Sequence, residues 1–204
     1  MHGGAIYARS GDITVTNGYF SGDTASCHGG AIVINVWGKL NVSSTTFIES
    51  TVIAGGGWAI HSGVQQGNIL LTNNTFSHNT VPYCGVLDVD EFYHYTIRVQ
   101  TFLLLPSISA NIVGNTFTHN RAVGKVAGGG VICIGNASIS VLDNNFSHNL
   151  AAGDAGVLRV DECDVTVKRS IFSNNMAGGN GGVFYTSFHP TSYTITQTSF
   201  TNKS

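Results

Sequence analysis

The sequence predicts an all-β fold, a right-handed parallel β-helix (a solenoid) of about seven coils, because two motifs recur and interleave along it. The first is a phenylalanine that returns every 26 to 41 residues. Its members are Phe20, Phe47, Phe76, Phe117, Phe146, Phe172 and Phe200. The second is a glycine followed by a small and then a larger apolar residue, with one extra residue in the third copy. These copies begin at Gly4, Gly30, Gly57, Gly85, Gly130, Gly156 and Gly182. A period on the order of 20 to 50 residues is typical of a repeat architecture.

Short strands are predicted just before each phenylalanine, where apolar and polar residues alternate, as in residues 13–16 (ITVT) and 165–168 (VTVK). Alternation is typical of a half-buried strand. The residues seven and five before each phenylalanine are predicted to face inward, and the residue between them outward. Each strand is expected to pair with its equivalent in the next coil, about 4.8 Å away. Right-handed winding is expected because parallel crossovers favour that hand.

Stacked coils explain why NNTFSHN (73–79) is nearly repeated as NNFSHN (144–149). Each phenylalanine is predicted to fill the same interior position, and the asparagines to hydrogen-bond along the axis. These asparagines are Asn74, Asn115 and Asn144, and Asn79, Asn120, Asn149 and Asn175. The residues of a further column share no chemical property, and this column is predicted to be exposed. It consists of Tyr7, Val33, His61, Asp88, Cys133, Arg159 and Tyr185.

Composition excludes several classes of protein. Charged residues make up 10% of the chain and mean hydropathy is +0.14, which excludes a disordered chain. The net charge of -2 offers no basic surface, so nucleic acid is not an expected partner. No apolar run approaches the roughly 18 residues of a membrane span, so no direct membrane insertion is expected. No cofactor is predicted.

The tetrapeptide GGAI, at 3–6 and 29–32, and the pattern FxxN resemble the repeat of chlamydial polymorphic outer membrane proteins. FxxN occurs at Phe76–Asn79, Phe117–Asn120, Phe146–Asn149 and Phe172–Asn175. Similar repeats occur in large secreted right-handed β-helix proteins, and the resemblance extends over the whole chain. It implies an extracellular or cell-surface β-helix that acts in adhesion and is not an enzyme. The chain departs from FxxN at Asp23, Ser50 and Lys203.

Three histidines, His78, His119 and His148, share one column two residues after phenylalanine. Imidazoles about 4.8 Å apart can share a transition metal. Other coils place Gly, Glu or Asn in this column, and no carboxylate completes a site. An exposed turn is therefore the favoured interpretation, and no metal site is predicted.

Two acidic turns, Asp90-Glu91 and Asp161-Glu162, are predicted at equivalent positions two coils apart, with Gly135-Asn136 between them. Their carboxylates would lie about 9 to 10 Å apart along the axis, near the upper limit for an inverting glycosidase pair. A polysaccharide lyase or hydrolase is therefore the alternative function. Turns hold catalytic geometry poorly, so solvated turns are favoured and no catalytic residue is predicted.

An insertion is predicted near 92–108, within the longest interval between phenylalanines. Its aromatic and aliphatic residues can fold back onto the β-helix or protrude as a contact for a partner. The candidate contact residues are Phe92, Tyr93, Tyr95, Phe102 and Leu104.

Five sequons permit glycosylation in a secreted protein. They begin at Asn41, Asn73, Asn136, Asn145 and Asn202. The four cysteines, Cys27, Cys84, Cys133 and Cys163, form no metal or catalytic motif. A disulfide between neighbouring coils is compatible with their spacing, but free buried thiols are favoured.

Residues 1–204 are interpreted as one β-helix domain, a segment of a longer chain or a fibre subunit, since neither end carries a polar cap. The predicted function is an extracellular structural or adhesive module, stacking head to tail into a filament. Expected partners are copies of itself or flanking β-helix segments, and cell-surface proteins or glycans. A non-catalytic glycan-binding module that uses Tyr7 and Tyr185 is a further alternative.

Overall fold

The computed structural model describes residues 4–26, 29–34, 38–53, 59–62, 67–82, 85, 87–89, 108–124, 131–135, 137–161, 163–186 and 192–201. These residues contain 27 short strands and no helix. Within them, no helix is long and apolar enough to cross a membrane. The predicted all-β class is confirmed.

The strands of the first four coils are β1 (Ile6–Ala8), β2 (Ile13–Thr16), β3 (Tyr19–Ser21), β4 (Thr24–Ala25), β5 (Ile32–Ile34), β6 (Leu40–Ser43), β7 (Thr46–Ile48), β8 (Thr51–Val52), β9 (Ile60–Ser62), β10 (Asn68–Thr72), β11 (Thr75–Ser77), β12 (Thr80–Val81), β13 (Leu87–Val89), β14 (Ile108–Val113), β15 (Thr116–Thr118) and β16 (Arg121–Ala122). The strands of the last three are β17 (Ile132–Gly135), β18 (Ala137–Leu142), β19 (Asn145–Ser147), β20 (Leu150–Ala151), β21 (Leu158–Asp161), β22 (Asp164–Lys168), β23 (Ile171–Ser173), β24 (Met176–Ala177), β25 (Phe184–Tyr185), β26 (Ser192–Thr196) and β27 (Ser199–Thr201).

Every fourth strand belongs to the same parallel sheet, which is the signature of a β-helix. The first sheet has the order β1-β5-β9-β13-β17-β21-β25 and the second β2-β6-β10-β14-β18-β22-β26. The third sheet runs from β3 to β27 through β7, β11, β15, β19 and β23, and the fourth joins the six strands β4, β8, β12, β16, β20 and β24. The chain is therefore a parallel β-solenoid, as the repeats predict.

The phenylalanine column forms the centre of the core. Phe47, Phe76, Phe117, Phe146 and Phe172 are fully buried. Successive rings from Phe20 to Phe172 stack with centroids 4.7 to 4.9 Å apart and planes within 5°. The step from Phe76 to Phe117 is 4.7 Å although 41 residues separate them, and the step from Phe146 to Phe172 is 4.8 Å across 26 residues. Each coil therefore adds the same length along the solenoid axis, whatever number of residues it contains.

Two left-handed turns per coil hold the third sheet in place. The residue three before each phenylalanine has positive φ, as in Asn73 (54°) and Asp143 (57°). In the first six coils the residue two after it does as well, as in His119 (54°) and Asn174 (52°). Left-handed backbone is unfavourable for residues other than Gly, Asn and Asp. The next residue in the chain must therefore be held firmly enough to offset that strain.

The column predicted to be exposed is only partly so. Tyr7 is exposed, but Val33 and Cys133 are buried. The reason at these two positions is nearby backbone, at Gly29 and at Gly85. A Cβ added at Gly29 would collide with the Val33 side chain, and the Gly85 N–H donates to Cys133 Sγ at 3.4 Å. Backbone therefore covers these two side chains, and the prediction is wrong at these two positions.

The cysteines combine both alternatives. Cys133 is disulfide-bonded, whereas the buried Cys163 donates from Sγ to the Ile134 carbonyl at 3.5 Å. Free thiols were the favoured interpretation, and Cys133 contradicts it. Cys133 is buried, and its sulfur lies against the backbone of Gly85 in the adjacent coil rather than against solvent.

Candidate contact surface

Two asparagine ladders fix the turns that carry the exposed residues. In the ladder after phenylalanine, the Asn120 side chain donates to Phe76 O and to Asn149 Oδ1, both at 3.0 Å. Asn120 Oδ1 accepts from the Asn79 N–H at 3.2 Å and from Asn79 Nδ2 at 3.0 Å. The ladder before phenylalanine repeats this geometry through Asn74, Asn115 and Asn144. All seven ladder asparagines are buried, and the predicted axial hydrogen bonding is confirmed.

Each ladder asparagine directly follows a left-handed residue, so the ladders explain how that strain is supported. The ladder side chain satisfies the backbone N–H of its equivalent in the preceding coil and a carbonyl as well. A buried backbone group left unpaired would cost about 1–3 kcal/mol. The left-handed residue itself points to solvent. The surface column beside the ladder therefore keeps a regular spacing, whereas its residue type varies from coil to coil.

The histidine column lies on this ridge. His78, His119 and His148 are exposed, with ring centroids 5.1 and 5.0 Å apart and planes within 2°. His119 Nδ1 hydrogen-bonds to Thr118 Oγ1 at 2.8 Å, and Asn174 Nδ2 lies 3.3 Å from His148 Nε2. An imidazole binds metal through a lone pair in its ring plane, and parallel rings do not converge on one ion. No group of three or more metal-ligating side chains is found in the described part of the chain.

A row of hydroxyl groups runs beside the histidines on the outward face of the third sheet. Ser77, Thr118, Ser147 and Ser173 occupy one column, since β11, β15, β19 and β23 pair in register. Ser77 is buried, whereas the other three are half-buried. Ser147 Oγ donates to Thr118 Oγ1 at 3.2 Å. The histidines and hydroxyls together form the surface that we name the histidine ridge. It offers hydrogen-bond donors and acceptors at one step per coil.

The turns before phenylalanine carry one ion pair among the described residues. Arg169 donates to Asp143 through Nε and Nη2, both at 2.7 Å, across one coil. These hydrogen bonds lower the pKa of Asp143 and raise that of Arg169. Both side chains are about half exposed, so the pair is screened by solvent.

The predicted acidic pair is only partly described. The backbone of Asp161 pairs with Gly135 at the end of the first sheet. Asp90, Glu91, Asn136 and Glu162 lie outside the described residues. The same is true of Phe92, Tyr93, Tyr95, Phe102 and Leu104, the predicted partner contacts, and of the predicted insertion as far as residue 107. Its last residue, Ile108, is buried at the start of β14.

Three sequon asparagines are described. Asn73 and Asn145 are exposed, and Asn41 is half-buried on the outward face of β6. Asn136 and Asn202 lie outside the described residues. Glycosylation remains a prediction at all five.

Two unpartnered buried oxygens, which the sequence analysis does not predict, lie at the N-terminal end of the ladder after phenylalanine. Asp23 Oδ2 and Ser50 Oγ are buried, and neither finds a hydrogen-bond partner among the described residues. Burial raises the pKa of Asp23. The signal was present in the sequence, because these two residues are where the chain departs from FxxN. Both residues occupy the ladder position that asparagine fills in later coils.

These observations define the chain as a parallel β-helix repeat protein that resembles polymorphic membrane protein repeats. The family model described as the Chlamydia polymorphic membrane protein (Chlamydia_PMP) repeat matches residues 169–187. That segment contains Phe172, Asn175 and the glycine motif at Gly182. Comparisons with curated proteins and with solved structures give no match.

Proposed function

We propose that the protein is an extracellular, surface-exposed β-helix module that acts by adhesion, through the histidine ridge. The observation that carries the proposal is the stack of three exposed imidazoles on turns that two buried ladders hold rigid. A surface that is already ordered loses little conformational entropy on binding. The family match supports a surface location, since the matching model describes a membrane protein repeat.

The partner we propose is a cell-surface glycan or glycoprotein. Imidazole, hydroxyl and amide groups spaced one coil apart can donate to and accept from successive hydroxyl groups of a chain that lies along the axis. The aromatic faces of the imidazoles are stacked against each other, so their edges are the groups offered to a ligand.

Binding to cultured cells, measured by flow cytometry with labelled protein, tests the proposal. Replacing His78, His119 and His148 together by Asn should reduce binding at least tenfold without unfolding, because Asn174 already occupies this left-handed column. The matched control replaces Thr14, Asn111 and Thr166, outward residues of the second sheet, by Ala. Equal binding by both variants, or no binding by the unaltered protein, would refute the role of the ridge. Glycosidase and protease treatment of the cells separates the two partner types.

We propose binding rather than catalysis because the adjacent coil places Gly135 beside Asp161, which leaves any equivalent carboxylate two coils away, about 9 to 10 Å along the axis and near the upper limit for an inverting pair. The carbohydrate-active alternative predicts new reducing ends or unsaturated products from neutral and acidic polysaccharides. Their formation in a purified reaction would overturn the non-enzymatic proposal.

A further inference from the structure

The histidine ridge brings three imidazoles together beside a single carboxylate. Along the axis, the column two residues after phenylalanine reads Glu49, His78, His119, His148 and Asn174 in five successive coils. The backbone hydrogen bonds of this column run from Glu49 N–H to Ser77 O and from His78 N–H to Thr118 O, so the coils are directly adjacent. Glu49 therefore lies one coil from His78 and is two or more coils from the other two histidines.

One more charged side chain flanks this column. Arg121 is exposed on β16, two residues after His119, and its register partners Thr80 and Leu150 carry no charge. On the other side of the histidines, the outward column of the third sheet holds only hydroxyl groups, at Ser77, Thr118, Ser147 and Ser173. The described columns that adjoin the three histidines therefore contribute one cation, Arg121, and one anion, Glu49.

Protonation changes what the ridge offers to a ligand. A neutral imidazole has one donor and one acceptor, whereas an imidazolium has two donors and no acceptor. Histidine makes this change between about pH 5 and pH 8. The local hydrogen bonds permit it, because the Thr118 hydroxyl can accept from His119 Nδ1 at 2.8 Å, and Asn174 can accept from His148 Nε2 when its amide turns. The protonated ridge is then a row of donors and positive charges.

We propose that the histidine ridge binds a linear anionic polysaccharide, one that carries carboxylate or sulfate groups, and binds it more tightly as pH falls. This inference rests on the proposed adhesive function, because it uses the same surface. The polymer lies along the solenoid axis, where successive imidazolium groups, 5.1 and 5.0 Å apart, donate to its anionic groups. Arg121 adds a planar fork of donors that matches a carboxylate or a sulfate. The hydroxyl row beside the histidines binds the neutral hydroxyl groups of the sugar.

The size of the pH effect follows from the number of charges gained. Two opposite unit charges about 5 Å apart in water attract each other enough to raise an association constant about fourfold. Three new imidazolium contacts multiply to about 60-fold, and screening at physiological ionic strength reduces this value. A bound anion also relieves the repulsion between stacked imidazolium groups. We therefore expect affinity to rise at least about tenfold between pH 7.5 and pH 5.5.

Isothermal titration calorimetry with dextran sulfate tests the inference, and neutral dextran is the ligand control. The unaltered protein should bind dextran sulfate at least about tenfold more tightly at about pH 5.5 than at about pH 7.5, and dextran at neither pH. Replacing His78, His119 and His148 together by Asn should remove this gain. That variant keeps the other five of the eight histidines, so a general increase in positive charge would persist in it. Equal affinity at both pH values, equal affinity for dextran, or the same gain in the variant would overturn the inference.

A second pair of variants tests the single carboxylate. Glu49→Gln should raise the affinity for dextran sulfate about fourfold at acidic pH, because it removes the anion beside His78. Asp164→Asn is the matched control, since it removes an equal charge from an exposed position at the start of β22, in the second sheet. It should change affinity less than about twofold. An equal effect of both variants would mean that net charge rather than the ridge attracts the polymer.

Cell binding keeps this inference separate from the adhesive function. If the triple histidine variant loses cell binding while dextran sulfate binding does not depend on pH, adhesion through the ridge stands and the anionic ligand is wrong. If the variant keeps its cell binding but loses the pH-dependent binding of dextran sulfate, the anionic site stands and the adhesive function is wrong. Circular dichroism of each variant at both pH values confirms that its β-structure is retained.

Discussion

Replacing Asn120 by Ala tests how much an asparagine ladder contributes to the stability of the solenoid. The change removes two donated and two accepted side-chain hydrogen bonds. It leaves the buried Asn79 N–H and the Phe76 carbonyl without those partners. Each buried orphan costs about 1–3 kcal/mol. We therefore expect Asn120→Ala to lower the free energy of unfolding by about 3–5 kcal/mol.

Urea denaturation followed by circular dichroism measures this loss, and Asn111→Ala is the control. Asn111 lies in the same coil but faces outward on β14, and its one side-chain hydrogen bond in the described structure is a long 3.4 Å contact with Ser109. Removing it should cost less than about 0.5 kcal/mol. If the two variants unfold at the same urea concentration, the ladder does not support the turns. Asn120→Asp adds a check, because a carboxylate facing Asn149 Oδ1 should destabilise at neutral pH and less in acid.

Three further outcomes are expected. Asp23→Asn should stabilise by about 1 kcal/mol, because its new amide can donate to the unpartnered Ser50 Oγ. Burial raises the pKa of Asp23 above 3.8, so its contribution to native stability is fully present below that pH and is lost as pH rises through the raised pKa. The advantage of Asp23→Asn, read from melting curves, should therefore grow with pH, and a constant advantage would exclude the charge as its cause. Phe117→Ala should cost about 3–5 kcal/mol in urea, because it opens a cavity in a fully buried stack, and a smaller loss than Phe117→Leu would refute this. Arg169→Asn should not lower the melting temperature at low or high salt, because the ion pair is exposed and Asn tolerates the left-handed turn.

The sequence was sufficient for the architecture because one interior column repeats phenylalanine and the others stay apolar in every coil. Phenylalanine at a fixed phase with alternating strands predicts the sheets and their register, and the structure confirms both. The asparagine ladders were predictable for the same reason. An amide that recurs at a turn has few other ways to satisfy its hydrogen bonds when it is buried.

The exceptions arise where tertiary contacts rather than columns decide the environment. Val33 lies in a column of mixed residues, and its burial depends on a loop that folds over the sheet at Gly29. The disulfide at Cys133 likewise depends on tertiary contacts that the repeat pattern does not specify. The left-handed turns could not be read from the histidines, because His, Glu and Asn share that column. Only the ladder asparagine that follows each turn indicates that the backbone there is fixed.

The equal rise of every coil separates the length of the protein from the length of its sequence. From the second-sheet strand to the fourth-sheet strand, every complete coil keeps the same spacing around its phenylalanine, from Ile13 to Ala25 in the first coil and from Val165 to Ala177 in the sixth. Added residues fall on either side of this segment and leave the ring spacing unchanged. Length along the solenoid axis is therefore set by the number of coils. Loops can vary to present new sequences to the outside, while the distance between two surface points changes only when a whole coil is gained or lost.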